Sequence, residues 1–194
     1  MKRFFWALLL PAIPLFVQAQ AIDFKGVPIG ATKAEFSAAH PDFHCTGNGC
    51  FVSDFATCKE NPMRSAAYKL CSDRVNAIQT YAGVAANHLF IYFDDEGRLG
   101  AVSVSLPSAS FGFVAAALES KYGAPERATE EFKTKAGATF ENSILTWRKD
   151  GNFILAKRLS GSTDLSSVRI SSDTYASNEA TKAAAKIKKR AGDL

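Results

Sequence analysis

Two stretches of this 194-residue chain divide by alternate positions into a mainly aliphatic set and a set of aromatic, polar or small residues, the period of a half-buried β-strand. From His88 to Phe93, Leu89, Ile91 and Phe93 alternate with His88, Phe90 and Tyr92; from Arg98 to Leu106, Val102, Val104 and Leu106 alternate with Ala101, Ser103 and Ser105. Asp94-Asp-Glu-Gly97 between them has the glycine that a hairpin reversal needs. Further strands are expected at Val75–Tyr81, Phe132–Lys135, Ala138–Arg148, Asn152–Leu159 and Ser166–Ser171, with Lys149-Asp-Gly-Asn152 forming a tight turn. Helical signals flank these runs. Thr32-Lys-Ala-Glu35 has the spacing of a capping box, and the helix it opens is stopped at His40 by Pro41. A second helix is expected over Phe111–Tyr122, capped by Ser108 or Ser110 and ended by Gly123 and Pro125; Tyr175–Arg190 reads as a terminal helix or a frayed basic tail.

The alternation sorts side chains between two sheet faces. The aliphatic set of the first hairpin is expected to face the helices, leaving Phe90 and Tyr92 beside small Ala101 and Ser103 on the other side. In the second half, Leu145, Trp147, Phe153, Leu155, Val168 and Ile170 are the expected inward set, opposite Thr146, Arg148, Arg158 and Arg169. Element order repeats between the halves, with Tyr81-Ala-Gly-Val84 matching Lys135-Ala-Gly-Ala138, His88–Phe93 matching Ser143–Arg148, and Arg98–Leu106 matching Asn152–Leu159. The expectation is an α+β fold of two tandem helix-plus-antiparallel-sheet units, residues 22–107 and 108–174, with one sheet face open and residues 175–194 as a C-terminal helix or tail.

The N-terminus changes where this fold is expected to work. Lys2 and Arg3 lead into an apolar run from Phe4 to Val17 that ends in Ala19-Gln20-Ala21, the pattern of a secretory signal peptide over residues 1–21, too short for an ordinary spanning helix. Removing those 21 residues from 194 leaves 173, beginning near Ile22, with no later run long enough to cross a bilayer and no cysteine placed to take a lipid. A soluble protein of the bacterial periplasm or exterior is expected. Losing Lys2 and Arg3 from 23 basic residues leaves 21 against 19 acidic, a net charge of +2 that gives no ground for nucleic-acid binding.

Cys45, Cys50, Cys58 and Cys71 fall within 27 residues, and export would carry them to an oxidising compartment. Two disulfides are expected; three pairings are open, of which Cys45–Cys50 with Cys58–Cys71 is the sequential one. Because no periodic apolar pattern persists between Pro41 and Asp73, that stretch is expected to be loop-rich and in need of covalent ties. His40 and His44 beside Cys45 and Cys50 offer zinc-type ligands, but paired C-x2-C spacing is absent and oxidation would consume the thiolates, so no metal or other cofactor is expected.

Gly30 with Glu35-Phe36, an acidic turn carrying glycine before a strand, and Phe113 to Tyr122-Gly123-x-Pro125 together resemble the periplasmic domains of SmpA/OmlA (BamE-like) outer-membrane lipoproteins. Tandem copies of such a unit are similar in architecture to secreted beta-lactamase inhibitory proteins. The chain departs from the pattern in lacking a lipobox cysteine and in clustering its cysteines in the first half. The resemblance implies a protein-binding role in the cell envelope and close kinship with uncharacterised exported bacterial proteins.

No nucleophile elbow, zinc-protease helix, phosphate-binding loop or dinucleotide fingerprint occurs, and no catalytic residue is assigned. Asp94, Asp95 and Glu96 lack the ligand spacing of a calcium loop and read as a turn; His88 reads as a structural strand residue. Aromatic side chains and arginines dominate interface hot spots, which makes Phe90, Tyr92, Arg148, Arg158 and Arg169 the candidate partner-binding set. The same residues also suit an ordinary fold, with the rings packed under the cysteine-rich loop and the arginines solvated or paired with acids. The expected function is an exported binding module of inhibitor, immunity or envelope-assembly type, whose partner is an envelope or extracellular protein. Its alternatives are a hydrolase whose site is assembled from distant residues and a carrier for a small apolar ligand. The basic tail, with a weak apolar face of Ala183, Ala184, Ala185 and Ile187, suits at most a weak contact with a membrane surface.

Overall fold

The computed structural model describes residues 20–52 and 78–191. The expected leader up to residue 19, Cys58, Cys71 and the part of the Val75–Tyr81 strand before Ile78 lie outside the described residues. A two-strand ribbon, β1 (Asp23–Phe24) and β2 (Val27–Pro28), precedes helix α1 (Lys33–Ala39), the hairpin β3 (His44–Thr46) and β4 (Gly49–Phe51), and a second small ribbon, β5 (Thr80–Tyr81) and β6 (Val84–Ala85). Then come β7 (His88–Phe93) and β8 (Leu99–Pro107), a 3-10 turn at Ser108–Ser110, helix α2 (Phe111–Tyr122), and the meander β9 (Glu126–Lys133), β10 (Thr139–Lys149), β11 (Asn152–Lys157) and β12 (Leu165–Ser172). Helix α3 (Asp173–Ala191) closes the described chain. The class is α+β.

Among the described residues, eight strands form one antiparallel sheet in the order β3-β4-β7-β8-β12-β11-β10-β9. Each half contributes a helix and a four-strand meander, and the last strands of the two halves, β8 and β12, pair along their length from Ala101↔Ser171 to Pro107↔Leu165. The order is therefore symmetric about the β8–β12 pair: β7 corresponds to β11 and β4 to β10. This shifts the repeat expected from sequence by one strand, because the sequence order aligns His88–Phe93 with Ser143–Arg148, which lies in β10. The missing strands are β3 and β4, in a stretch expected to be loop. They join the sheet through the Thr46-Gly47-Asn48-Gly49 reversal, where Gly47 takes φ +53°, and through pairing of Phe51 with Phe90 and Cys50 with Ile91.

Local signals account for the helix ends. Thr32 Oγ1 accepts the Glu35 amide at 3.2 Å and Glu35 Oε2 accepts the Thr32 amide at 2.7 Å, completing the capping box, while the His40 amide donates to the Phe36 carbonyl at 2.9 Å. Neither Ser108 nor Ser110 caps α2 with its side chain. The 3-10 turn runs directly into the helix, and Ser108 Oγ instead donates to the Thr163 carbonyl at 2.8 Å. In the expected strand before Tyr81, Ile78 and Gln79 are not extended, and only Thr80–Tyr81 pairs.

Helices α1 and α2 cover one face of the sheet. Phe36 from α1 and Phe111, Val114 and Leu118 from α2 pack on Leu89, Ile91, Val102, Val104, Trp147, Ile154, Ala156, Val168 and Ile170 in one core cluster. Trp147 Nε1 donates to the Gly123 carbonyl at 2.7 Å, fixing the end of α2 on β10. One strand has the opposite phase to the expected one. Ile154 and Ala156 are buried against the helices, and Phe153 and Leu155 point to the other face, because Ile154 pairs with Trp147 and Ile170 while Leu155 pairs with Thr146 and Arg169. β11 ends at Lys157, two residues early, because Asn142 captures both backbone groups of Leu159: its amide nitrogen donates to the carbonyl at 2.9 Å, and its oxygen accepts the amide at 2.7 Å.

Candidate functional site

The face away from α1 and α2 is built from cross-strand rows. Phe51, Phe90, Ser103, Arg169, Leu155 and Thr146 make one row; Tyr92, Ala101, Ser171, Phe153 and Arg148 make the next. Side-chain size along each row falls and rises again. Aromatic rings stand on β4 and β7, small residues floor β8 and β12, and Phe153 and Leu155 rise on β11.

Three rings stand in line on β7, at the i, i+2 and i+4 positions that share a face. His88 stacks on Phe90 with centroids 6.1 Å apart and an 18° interplanar angle, and Phe90 lies 6.4 Å from Tyr92. Phe90 is 44% exposed and Tyr92 37%; Phe51, directly opposite Phe90 on β4, is 36% exposed. Exposed aromatic rings clustered on one strand face are uncommon on a monomer and mark contact surfaces. Phe51 was not among the sequence candidates. Asn48-Gly49 before it is a hairpin signal that could have placed it on a strand.

Of the five candidates, four share this face and one does not. Arg169 is at its centre on β12, half-buried between Ser103 and Leu155, with no ion-pair partner among the described residues. Arg148 is at the β10 side, its guanidinium 5.3 Å over the Phe153 ring and 2.9 Å from Asp173 Oδ1. Arg158 stands apart: it follows the end of β11 in the series of Ile154 and Ala156, its amide bonded to the Ser143 carbonyl at 3.0 Å, so its alternation belongs to the helix side. The inverted phase of β11 is the cause. From Tyr92 to Arg148 is four strand spacings, about 19 Å, the scale of a protein contact surface.

Helix α3 borders one corner of the face. The Tyr175 ring lies against Gly100, in space that any side chain there would occupy, and the Tyr175 amide is capped by Ser172 Oγ at 3.0 Å. Partial burial, with the nearby charges of Glu179 and Tyr92, raises the Tyr175 hydroxyl above its ordinary range against the opposing pull of Arg169. Farther along, Lys182 Nζ bonds Asp95 at 3.1 Å and Glu179 at 3.5 Å, and an open groove of about 690 Å³ lined by Asn48, Tyr92, Asp95, Tyr175 and Asn178 separates helix from turn. The acidic triplet is a turn: Asp94 Oδ1 accepts the amides of Glu96 at 3.0 Å and Arg98 at 2.8 Å.

Several other ionisable groups among the described residues have structural places. Cys45 and Cys50 are joined in a disulfide across the β3–β4 hairpin, so neither offers a thiolate. His40 lies 5.1 Å from Phe36 and 5.9 Å from Phe43; burial, reinforced by the Lys25 charge, pushes its imidazole below the ordinary range. Buried Asp23 accepts Lys121 Nζ at 2.7 Å and the Gly26 amide at 2.8 Å, tying the N-terminal ribbon to α2. Burial pushes the neighbouring Tyr81 hydroxyl well above its usual range. Among the described residues no group of histidine, cysteine, aspartate and glutamate is arranged to hold a metal ion, and no helix is long and apolar enough to cross a membrane. No known protein family matches this chain, and neither does any curated protein or solved structure.

Proposed function

We propose that this chain is an exported, non-catalytic binding module of the bacterial envelope or exterior, built from two BamE-like units, that docks a protein partner on the sheet face carrying Phe51, Phe90, Tyr92 and Arg169. The observation that carries the reading is the line of half-exposed rings on β7, continued by Phe51 and set beside a small-residue floor. A ring with 44% of its surface in water gains apolar burial when covered, and rings with few rotatable bonds lose little entropy in doing so. The symmetric sheet order supports the tandem-unit part of the reading, and the Cys45–Cys50 bridge suits the oxidising compartment to which the N-terminal pattern directs the chain.

Pulldown from envelope extract with the chain from Ile22 onward tests this. Wild type should retain a discrete partner that a Phe90→Ser, Tyr92→Ser variant loses at least tenfold, while an α2 surface variant, Ala117→Ser, retains it. Equal recovery by wild type and the double variant would overturn the assignment of this face.

A further inference from the structure

We infer that the partner meets the open face with a carboxylate set on Arg169, carried by a segment whose adjacent residues are apolar. The inference rests on the reading of this face as a docking surface and adds the chemistry of what docks there.

Among the described residues, Arg148, Lys157 and Arg169 stand on strand positions of this face, and their circumstances differ. Arg148 is held by Asp173 at 2.9 Å. Lys157 is held by Glu130 at 2.9 and 3.2 Å, and the same carboxylate accepts Asn142 at 3.1 Å. Both pairs are peripheral. Arg169, in the middle, has Ser103 and Leu155 as cross-strand neighbours and no ion-pair partner among the described residues; Glu126, the acid that ends its row, is three strands away. Any body that covers the aromatic rings and their small-residue floor also takes this guanidinium out of water. A covered guanidinium without an anion is strongly unfavourable, and among the described residues the acids nearest this part of the face, Asp173 and Glu130, already hold Arg148 and Lys157, so we assign the anion to the partner.

The surroundings specify the anion further. Ser103, Ser105 and Ser167 provide hydroxyls around Arg169, while Phe90 and Tyr92 on one side and Phe153 and Leu155 on the other are apolar walls. A planar guanidinium takes a carboxylate through two parallel hydrogen bonds, and the walls reward apolar side chains next to it in sequence. Nucleic acid is the less suitable anion, since phosphate backbones are held by many unpaired cations in series, and among the described residues the strand positions of this face carry one, Arg169.

A random 12-residue peptide display library, panned on the disulfide-intact chain from Ile22 onward, tests the inference. Enriched peptides should share an aspartate or glutamate flanked by aromatic or aliphatic residues. A synthetic copy should lose at least tenfold in Kd when that acid becomes its amide, at least tenfold on Arg169→Gln, and little more when both changes are combined. Should Arg169→Gln fold poorly, the change on the peptide reads the same contact in the wild-type protein. Enriched peptides that lack an acid, or that bind Arg169→Gln as well as wild type yet are lost on Phe90→Ser, would overturn the carboxylate while leaving the face. Peptides indifferent to both variants, or no enrichment at all, would overturn both. A 20-residue oligo-dT that binds wild type more tightly than any acidic peptide would also overturn it, in favour of a phosphate.

Discussion

Truncating Phe90 and truncating Ile91 should have very different consequences although the two are neighbours on β7. Ile91 is fully buried beneath α1 and α2, so Ile91→Ala removes buried methyl groups, leaves a cavity, and should destabilise by about 3 to 4 kcal/mol. Phe90 faces the other way, 44% exposed, with the covered part of its ring against His88 and Tyr92. Complete burial of a phenylalanine contributes up to about 3 kcal/mol; with roughly half covered and no closed cavity left behind, Phe90→Ala should cost about 1 kcal/mol. The gap between the two variants is then on the order of 2 to 3 kcal/mol. Urea unfolding can read it cleanly, because Trp147 is the single tryptophan from Ile22 onward and is buried in the core. The two variants should share one denaturant slope and differ in midpoint. A cost at Phe90 equal to that at Ile91 would mean that another part of the chain encloses the ring in solution, and the face would not be free to dock anything.

Further expectations follow from particular contacts. Replacing Cys45 and Cys50 together with serine should lower stability by about 2 kcal/mol, the loop-closure term for a six-residue ring, measured as a midpoint shift in urea against the wild type under the same non-reducing conditions. Asn142→Ala strands the buried amide and carbonyl of Leu159 and should cost about 3 kcal/mol by the same assay; a cost below about 1 kcal/mol would mean that the β11–β12 loop re-satisfies them. Hydrogen bonds from the Thr32 amide and hydroxyl hold the Glu35 carboxyl below its ordinary range, so the cap's contribution is complete above the unfolded pKa of about 4.3 and fades as pH falls through the lower folded value. NMR titration should find Glu35 among the more acidic glutamates, and Thr32→Val should bring it back toward the ordinary value. Gly100→Val should displace Tyr175 and speed hydrogen exchange in the first turns of α3 while β8 and β12 stay protected.

The strands and helices whose two faces differ in polarity were readable from sequence, and those whose faces do not were misread or missed. In β7, Leu89 and Ile91 share one parity and His88 and Tyr92 carry polar atoms on the other, which gave the outward direction of Tyr92 and, with it, of Phe90. α1 carried both members of its capping box and its stop at Pro41. Phe153-Ile-Leu-Ala156, by contrast, is apolar on both parities. Side-chain size favoured Phe153 and Leu155 for the interior, yet pairing with Trp147 and Ile170 selected Ile154 and Ala156, and Arg158 went with them. β9 was seen only at its end, because an edge strand exposed on nearly every residue, Glu-Arg-Ala-Thr-Glu-Glu-Phe-Lys, carries no alternation; its charges serve to keep the edge from pairing with another chain. β3 and β4 are three residues each, too short to register as a period. Tyr175 reaches the site through a helix docking that no local pattern contains; for Phe51 the Asn48-Gly49 turn signals a strand, but its pairing with β7 is a relation between distant segments.

Site-specific photo-crosslinking in the native cell tests the central claim most directly. A benzophenone side chain at Ser103, on the floor between the rings and Arg169, should yield one discrete protein adduct, and the same group at Ala117, on the outer surface of α2, should yield none. Adducts of equal yield at both positions, or at Ala117 alone, would contradict the assignment of docking to the open face of the sheet.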